Sequence, residues 1–242
     1  IESLITERTK FILYSSPCNP SGSVYSYEEL KAMAAMLQSY PHVLVISDEI
    51  YEHINFTSRH HTIASMDGMK DRTVIINGMS KGYAMTGWRL GYIAGPDWIA
   101  DACTKIQGQV TSGASSFGQK AAAIALESDQ SPTLEMVKAF HHRRDLIISL
   151  LEQIPLLLVN RPQGAFYIFP DVSSYFGRTS SNGYDVKDAD DMALYLLAEA
   201  RVSTVSGVAF GNEKCIRLSY ATSDAKITEA AQRIKAALSI LA

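Results

Sequence analysis

The sequence has no apolar run near the roughly 18 residues that a membrane-spanning helix needs. It also carries little net charge: the formal value of −3 is too small to indicate a nucleic acid or a membrane surface as partner. Its 3 cysteines, Cys18, Cys103 and Cys215, are far apart and form no CxxC pair. This argues against a disulfide framework and for a reducing compartment. We therefore expect a cytoplasmic protein whose partners are small molecules or copies of itself.

The composition is that of a soluble globular protein, with 47% hydrophobic and 19% charged residues. The 242 residues suffice for one large domain or two smaller ones. The sequence contains no GxxxxGK[ST] loop for nucleotide phosphates and no basic stripe or recognition-helix pattern for DNA. It starts without methionine and soon enters a buried-strand pattern, so we expect a fragment of a longer protein.

Three apolar, β-branched segments each break into a polar tail, which is typical of buried parallel strands. They are KFILYSSPCNPSG at 10–22, HVLVISDEIY at 42–51 and TVIINGMSK at 73–81. The tails recur about every 30 residues, the length of a strand–helix–strand unit rather than of a hairpin. The stretch between the first two predicts a crossover helix, with Ser26 and Glu29 as a capping box. This part of the chain is therefore predicted to be α/β.

Further helices are predicted to begin at Asp97, Ser116 and Ser131. From residue 156 onward, short strand candidates alternate with two helix candidates, which indicates a smaller α+β domain. The strand candidates are LLLVN, GAFYIFP, VSTVSG and CIRLSYA, and the helix candidates are DADDMALYLLAEA and SDAKITEAAQRIKAALSI. RTSSNGYD at 178–185 predicts an exposed loop. We place the domain boundary between residues 135 and 136.

Polar residues follow the ends of all three predicted parallel strands. In a doubly wound sheet, ligands bind beyond the carboxyl ends of the strands, so these residues should converge on one crevice. They are Asn19, Asp48, Tyr51, Ser80 and Lys81, and Arg89 follows shortly after. A reactive lysine, an acid for a pyridinium nitrogen, a phenol and an amide for a ring hydroxyl, and Ser with Arg for a phosphate match the groups of pyridoxal phosphate.

The sequence resembles the class I aminotransferases, which are pyridoxal-phosphate-dependent enzymes of fold type I. The matching stretches keep the family order and span nearly the whole chain. They are NPSG at 19–22, SDEIYEH at 47–53, NGMSKGYAMTGWRLGY at 77–92, GAFY at 164–167 and IRLSYATS at 216–223. In detail, IQGQVTSGASS at 106–116 and RLSYATS are most similar to bacterial aspartate aminotransferases of the branch that includes aspartate/prephenate enzymes.

The resemblance implies an α/β fold in two parts. Residues 1–135 would be the C-terminal part of a large, mainly parallel-sheet cofactor domain, and residues 136–242 a smaller C-terminal α+β domain. The glycine-rich phosphate loop, the stacking aromatic ring and the opening strands of the family are expected upstream of Ile1. A sheet without its first strands exposes unpaired edges, so residues 1–242 alone are expected to be neither stable nor active.

The resemblance also assigns roles to the matching residues. Lys81 would form a Schiff base with pyridoxal 5′-phosphate and move the proton between the substrate Cα and the cofactor, while Asp48 would meet the ring nitrogen. The other cofactor residues would be Tyr51 and Asn19 at the ring hydroxyl, and Ser80 and Arg89 at the phosphate.

Substrate binding follows from the same resemblance. Arg217 would hold the α-carboxylate in a bidentate pair, with Asn19 as a second contact, and the Asn19-Pro20 peptide is expected to be cis. The amino group would pass between an amino acid and a 2-oxo acid by ping-pong kinetics in a homodimer. Aspartate or a related amino acid is the expected donor, with aromatic and alanine-type transaminases and β-eliminating relatives as alternatives.

Two hypotheses from other function classes stand beside this one. The first is a nucleotide hydrolase: HVLVISDE is similar to the apolar strand that ends in acidic Mg²⁺ ligands in such enzymes, with Asp48 and Glu49 as the ligands. The other hypothesis is a non-catalytic, cofactor-binding regulatory module attached to a DNA-binding domain. Intact Lys81, Asp48 and Arg217 favour catalysis over that module.

Several residues invite a functional role but are better explained as ordinary structure. The pairs His60-His61 and His141-His142 lack partners at metal-ligand spacing, so we expect surface histidines and no metal site. Trp88 and Tyr92 are expected to be packing residues.

Overall fold

The structure, a computed structural model, describes residues 1–57 and 59–241. The chain divides into two compact units. Unit 1 comprises Ile1–Cys18 and Ser23–Glu135, and unit 2 comprises Asn19–Gly22 and Met136–Ala242. The short segment 19–22 therefore belongs with the C-terminal part of the chain.

Unit 1 is built on a four-stranded sheet in the order β1-β2-β3-β4. The strands are β1 (Phe11–Ser15), β2 (Leu44–Asp48), β3 (Thr73–Gly78) and β4 (Gly91–Ala94). The first three pair in parallel, with Ser15 opposite Asp48 and Asp48 opposite Ile76, whereas β4 runs antiparallel to β3. The carboxyl ends of the parallel strands meet at one edge of the sheet. This confirms the predicted α/β organisation.

Helix α1 (Tyr27–Leu37) is the predicted crossover between β1 and β2. The Ser26 hydroxyl accepts the Glu29 N–H, and the Glu29 carboxylate accepts the Ser26 N–H, so the predicted capping box is confirmed. The buried residues of α1 are Leu30, Met33, Ala34 and Leu37. They pack in one apolar cluster with Val43, Val45, Ile63, Met66 and Met69.

Three further helices begin at the predicted residues: α2 (Asp97–Val110), α3 (Ser116–Glu127) and α4 (Ser131–Leu151). The Ser115 hydroxyl caps α3 by accepting the Gly118 N–H. The boundary between the two units falls within α4. Over the described part of the chain, none of the helices combines the length and the apolar character needed to cross a membrane.

Unit 2 combines the C-terminal part of α4 with short strands and further helices, which agrees with the predicted α+β character. In chain order its elements are β5 (Tyr167–Ile168), β6 (Arg178–Thr179), β7 (Asp185–Val186), α5 (Ala189–Tyr195), β8 (Val205–Ser206), β9 (Ile216–Ser219) and α6 (Asp224–Ser239). Strands β5, β9 and β8 form an antiparallel sheet in that order, with β9 at its centre.

Two predictions for unit 2 were wrong. LLLVN at 156–160 forms no strand, and only Leu158 makes an isolated bridge, to Asp171. RTSSNGYD is not a plain exposed loop, because β6 and β7 pair as a hairpin and Ser180 within it is buried. An apolar run indicates burial but does not select a pairing partner. The Asn-Gly pair at 182–183 is, in contrast, a typical hairpin turn that the sequence reasoning overlooked.

Candidate active site

Lys81 lies in unit 1, in the turn that follows β3. Gly78 ends that strand where only glycine fits, since a Cβ there would come within 2.7 Å of the backbone of β4. The Ala84 N–H donates to the Lys81 carbonyl at 3.2 Å, and the Thr133 hydroxyl donates to the Gly82 carbonyl at 3.1 Å. These bonds fix the backbone on the C-terminal side of Lys81.

The Lys81 amino group lies close to Tyr51. Its Nζ is 5.8 Å from the centroid of the Tyr51 ring, and Tyr51 is buried. A cation at such a distance from an aromatic face gains about 0.5–2 kcal/mol. The turns after β2 and β3 thus bring an amine and a phenol together.

Asp48 is the last residue of β2 and is half-buried. Its Oδ1 accepts the Ile50 N–H at 3.1 Å, which orients the carboxylate. A carboxylate has about four lone-pair sites, so it can still accept a further N–H. Ser80 is half-buried and directly precedes Lys81.

Arg89 is exposed and lies in the left-handed backbone region, with φ of 55°. Its Nη1 donates to the Thr86 carbonyl at 3.1 Å. The side chain lines a cavity of about 550 Å³ that also includes Gln107 and Gln119. A guanidinium and two amides can donate several hydrogen bonds to an anion such as a phosphate monoester.

A buried polar network lies beside Asp48, and sequence reasoning missed it. Glu49 is only 3% exposed, and its Oε1 accepts the Ser47 hydroxyl at 2.8 Å. Its Oε2 lies 2.8 Å from Nε2 of His60, whose side chain is 16% exposed. His60 is therefore not the surface histidine expected. Both oxygens of Glu49 have partners within the protein, which gives the nucleotide-hydrolase hypothesis no support.

The same region holds a set of metal-compatible groups. Glu49, Glu52 and His60 each offer one ligand atom, and these atoms lie within 4.8 Å of one another. The hydrogen bond between Glu49 and His60 accounts for the closeness of those two residues. The absence of a metal site stays a prediction.

Trp88 and Tyr92 were expected to be packing residues. Both residues are instead about half exposed, at 48% and 45%.

Arg217 lies in unit 2, on the central strand β9. Its Nη1 donates to Asn19 Oδ1 at 2.8 Å. Its Cζ lies 4.6 Å from the ring centroid of Tyr167 and 4.8 Å from that of Phe210. Its Nε is buried and lacks a hydrogen-bond partner among the described residues. An unpaired buried donor is costly, so this guanidinium is suited to an anionic ligand.

The loop 19–22 that carries Asn19 is anchored within unit 2. The Asn160 amide donates to the Ser21 carbonyl at 2.8 Å, and the N–H groups of Gln163 and Gly164 donate to the Gly22 carbonyl at 2.7 and 2.9 Å. Gly22 has φ of +69°, a conformation that favours glycine. The Asn19-Pro20 peptide is cis, as expected.

Sequence reasoning gave no role to the two rings beside Arg217. Tyr167 is part of the GAFY motif. The motif drew attention to this region but did not indicate that Tyr167 contacts Arg217. Phe210 belongs to no motif, and only the fold brings it to Arg217.

Comparisons with known proteins identify the family. The family model for aminotransferase class I and II matches residues 1–234. A bifunctional aspartate aminotransferase and glutamate/aspartate-prephenate aminotransferase of Petunia hybrida is 46% identical over 242 residues, covering 98% of this chain and 50% of that protein.

Two solved structures share the fold. The aspartate aminotransferase from Rhizobium meliloti has a TM-score of 0.95 at 41% identity, covering 100% of this chain and 61% of that one. The aromatic aminotransferase from Pyrococcus horikoshii has a TM-score of 0.90 at 38% identity, covering 98% and 62%.

The chain spans between 50% and 62% of the length of these three proteins. The structural likeness confirms the predicted pyridoxal-phosphate-dependent transferase fold of type I, here with a partial large domain. Pyridoxal 5′-phosphate is the cofactor of this family. The chain therefore belongs to the class I and II aminotransferases.

Proposed function

We propose that the protein is an aminotransferase that moves an amino group between an amino acid, preferably aspartate, and a 2-oxo acid. The observation that carries the proposal is the contact of Lys81 Nζ with the Tyr51 ring at the ends of β2 and β3. It supports a reactive amine beside a phenol, which the family motif requires at these positions.

The residues of unit 1 fit pyridoxal phosphate. The cavity with Arg89, Gln107 and Gln119 suits its phosphate, and the Asp48 carboxylate retains acceptor capacity for a protonated ring nitrogen. In the proposal Ser80 also donates to the phosphate. When bound, the cofactor supplies an electron sink for the charge that develops at the substrate Cα.

The side chains of unit 1 then have separate tasks. Lys81 would hold the cofactor covalently through its Nζ. Once the substrate amino group had taken its place, the free Lys81 amine would carry the proton away from the substrate Cα. Asp48 keeps the proton on the ring nitrogen, because a carboxylate favours the charged form of a neighbouring pyridinium. Tyr51 hydrogen-bonds the ring hydroxyl.

Unit 2 supplies the substrate contact in this proposal. Arg217 binds the α-carboxylate through two parallel N–H bonds, which orients the Cα–H bond for removal of its proton. Asn19 is the second contact. The same residues then receive the 2-oxo acid in the second half-reaction, so ping-pong kinetics follow.

The names of the relatives motivate the substrate class, since the petunia and Rhizobium meliloti proteins are aspartate aminotransferases. We propose aspartate as donor on this ground. We also propose a cytoplasmic homodimer, in which residues 1–135 are part of the large domain and residues 136–242 are the small domain.

The test uses the full-length protein loaded with pyridoxal phosphate. Borohydride reduction followed by peptide mass spectrometry should find the cofactor on Lys81, and Lys81→Ala should lose both this adduct and activity. Lys70→Ala, which changes an exposed lysine, is the matched control. Aspartate and 2-oxoglutarate should give parallel double-reciprocal plots.

The outcomes separate the hypotheses. An adduct on Lys81 without any amino transfer would favour the regulatory module over the enzyme. An unlabelled Lys81 in a protein that does not bind the cofactor would contradict the proposal altogether.

A further inference from the structure

Arg217 is held by rings rather than by an acid. The described part of the chain contains no salt bridge to Arg217, and its Nη1 bond goes to the neutral Asn19 amide. Its Cζ lies over the rings of Tyr167 and Phe210. A carboxylate partner would neutralise the guanidinium. A ring over Cζ leaves the charge and the in-plane N–H groups available to an anion.

The Phe210 ring is itself firmly placed. It ends a short 3₁₀ turn, Gly207–Phe210, that is tied to the chain just before β9 by a 2.7 Å bond from the Gly207 N–H to the Cys215 carbonyl. No side chain fits at Gly207, because a Cβ would lie 2.4 Å from that same carbonyl oxygen. Phe210 also contacts Phe169: the two rings pack edge-to-face, with their centroids 6.0 Å apart.

We propose that Phe210 is a positioning residue that holds the Arg217 guanidinium in place for a substrate carboxylate. The inference rests on the proposed function of Arg217. It extends that function because Phe210 does not need to touch the substrate: it acts by limiting the orientations of the guanidinium before binding.

The first experiment compares Phe210→Leu with Phe210→Tyr in the full-length protein loaded with pyridoxal phosphate. Leu removes the ring, so we expect KM for aspartate and the calorimetric Kd for succinate to rise about tenfold. We expect kcat to change less than about twofold, since the loss affects ground and transition state alike. Tyr keeps the ring and should restore both constants. Val208→Ala, which changes an exposed residue of the same turn, is the control for the fold.

The second experiment is a double-mutant cycle. If Phe210 acts through Arg217, Phe210→Leu should have no further effect on succinate binding in an Arg217→Gln background. An equal effect in both backgrounds, or a Tyr variant as weak as the Leu variant, would overturn the proposal.

A third readout does not depend on catalysis. In arginine-labelled protein, the Nε–Hε resonance of Arg217, assigned with Arg217→Gln, should be displaced by the ring current of Phe210 and should move in Phe210→Leu. An unchanged resonance would refute the positioning role. If the wild-type protein transfers no amino group, the proposed function fails, while the resonance and succinate binding still decide the role of Phe210.

Discussion

Arg217 and Asn19 lie 198 positions apart in the sequence and share a 2.8 Å hydrogen bond from Nη1 to Oδ1. The bond joins the two residues that bind the substrate in the proposed function. It uses one edge of the guanidinium and a neutral acceptor, so it orients Arg217 without cancelling its charge.

This bond makes a prediction for Asn19. In Asn19→Asp the new carboxylate pairs with Arg217 and competes with the substrate, so KM for aspartate should rise by at least about tenfold, as expected for a charged hydrogen bond worth roughly 1.5–3 kcal/mol. Asn19→Ala should weaken binding less, since it adds no anion. Steady-state kinetics with saturating cofactor checks both.

The exposed Asn182 offers a control for the Asn19 variants, and Asn182→Ala should behave as wild type. If Asn19→Asp bound aspartate as tightly as wild type, Asn19 would not control the charge of Arg217.

Arg72 should be important for the stability of unit 1. Its Nε and Nη1 donate to the carbonyls of Val43 and Leu37 at 3.0 Å, and its Nη2 donates to the Tyr40 carbonyl. Arg72→Ala removes this donor from all three carbonyls: those of Leu37 and Tyr40 keep backbone N–H partners, whereas that of Val43 loses its bonds to Arg72. The free energy of unfolding should therefore fall by about 2 kcal/mol.

Chemical denaturation of the full-length protein measures this loss. Lys70→Ala, two residues away and exposed, should change the free energy of unfolding by less than about 0.5 kcal/mol. A loss of that small size in Arg72→Ala as well would show that the carbonyls find other partners.

The Glu49–His60 pair gives a third prediction. His60→Ala leaves the buried Glu49 carboxylate with only the Ser47 hydroxyl as its side-chain partner among the contacts described above. The free energy of unfolding should fall by about 2–3 kcal/mol, the cost of a buried charged group that loses a partner.

His61→Ala is the matched control, because the neighbouring histidine is not part of the Glu49 network. Thermal unfolding should place His60→Ala well below both wild type and His61→Ala. Equal midpoints for the two variants would mean that solvent replaces His60 at no cost.

Tyr14 predicts how stability depends on alkaline pH. Burial, opposed by a hydrogen bond to Ser47 and reinforced by the charge of Glu49, raises the pKa of Tyr14 to about 12. Because the folded-state pKa exceeds the unfolded value of about 10, the contribution of Tyr14 is complete below pH 10. It is lost as pH rises from 10 to 12.

Over that interval the wild type should lose about 2 kcal/mol relative to Tyr14→Phe. Denaturant unfolding at a series of pH values gives this difference, and the comparison removes the contribution of the other tyrosines. Parallel curves for the two proteins would show that Tyr14 titrates at its ordinary pKa.

Local sequence predicted much of the fold. The period-3.6 apolar pattern and the Ser26 and Glu29 pair predicted α1, and polar residues at helix starts predicted where α2 and α3 begin, although of these two only α3 has a side-chain cap. Such signals involve residues only a few positions apart, so they can be read directly from the sequence. The short strands of unit 2 were harder. Strand β5 pairs with β9, which is distant in sequence, whereas the β6–β7 hairpin carries a local Asn-Gly signal that was overlooked.

The candidate site divides in the same way. Motifs drew attention to Lys81, Asp48 and Arg217, and their roles stay proposals. Nothing local indicates that His60 would meet Glu49 or that Phe210 would meet Arg217, since no spacing rule joins residues of different elements.

The sequence by itself determined the family, the parallel β1-β2-β3 core and the candidate residues for the proposed site, because these depend on residue type and local order. Only the tertiary structure decided which neighbours hold those groups. The 2.8 Å bond from Arg217 to Asn19 and the ring contacts of Tyr167 and Phe210 arise when β9, the 19–22 loop and the Gly207 turn pack together. Packing is a property of the whole fold, and it sets the orientation and the available charge of the guanidinium.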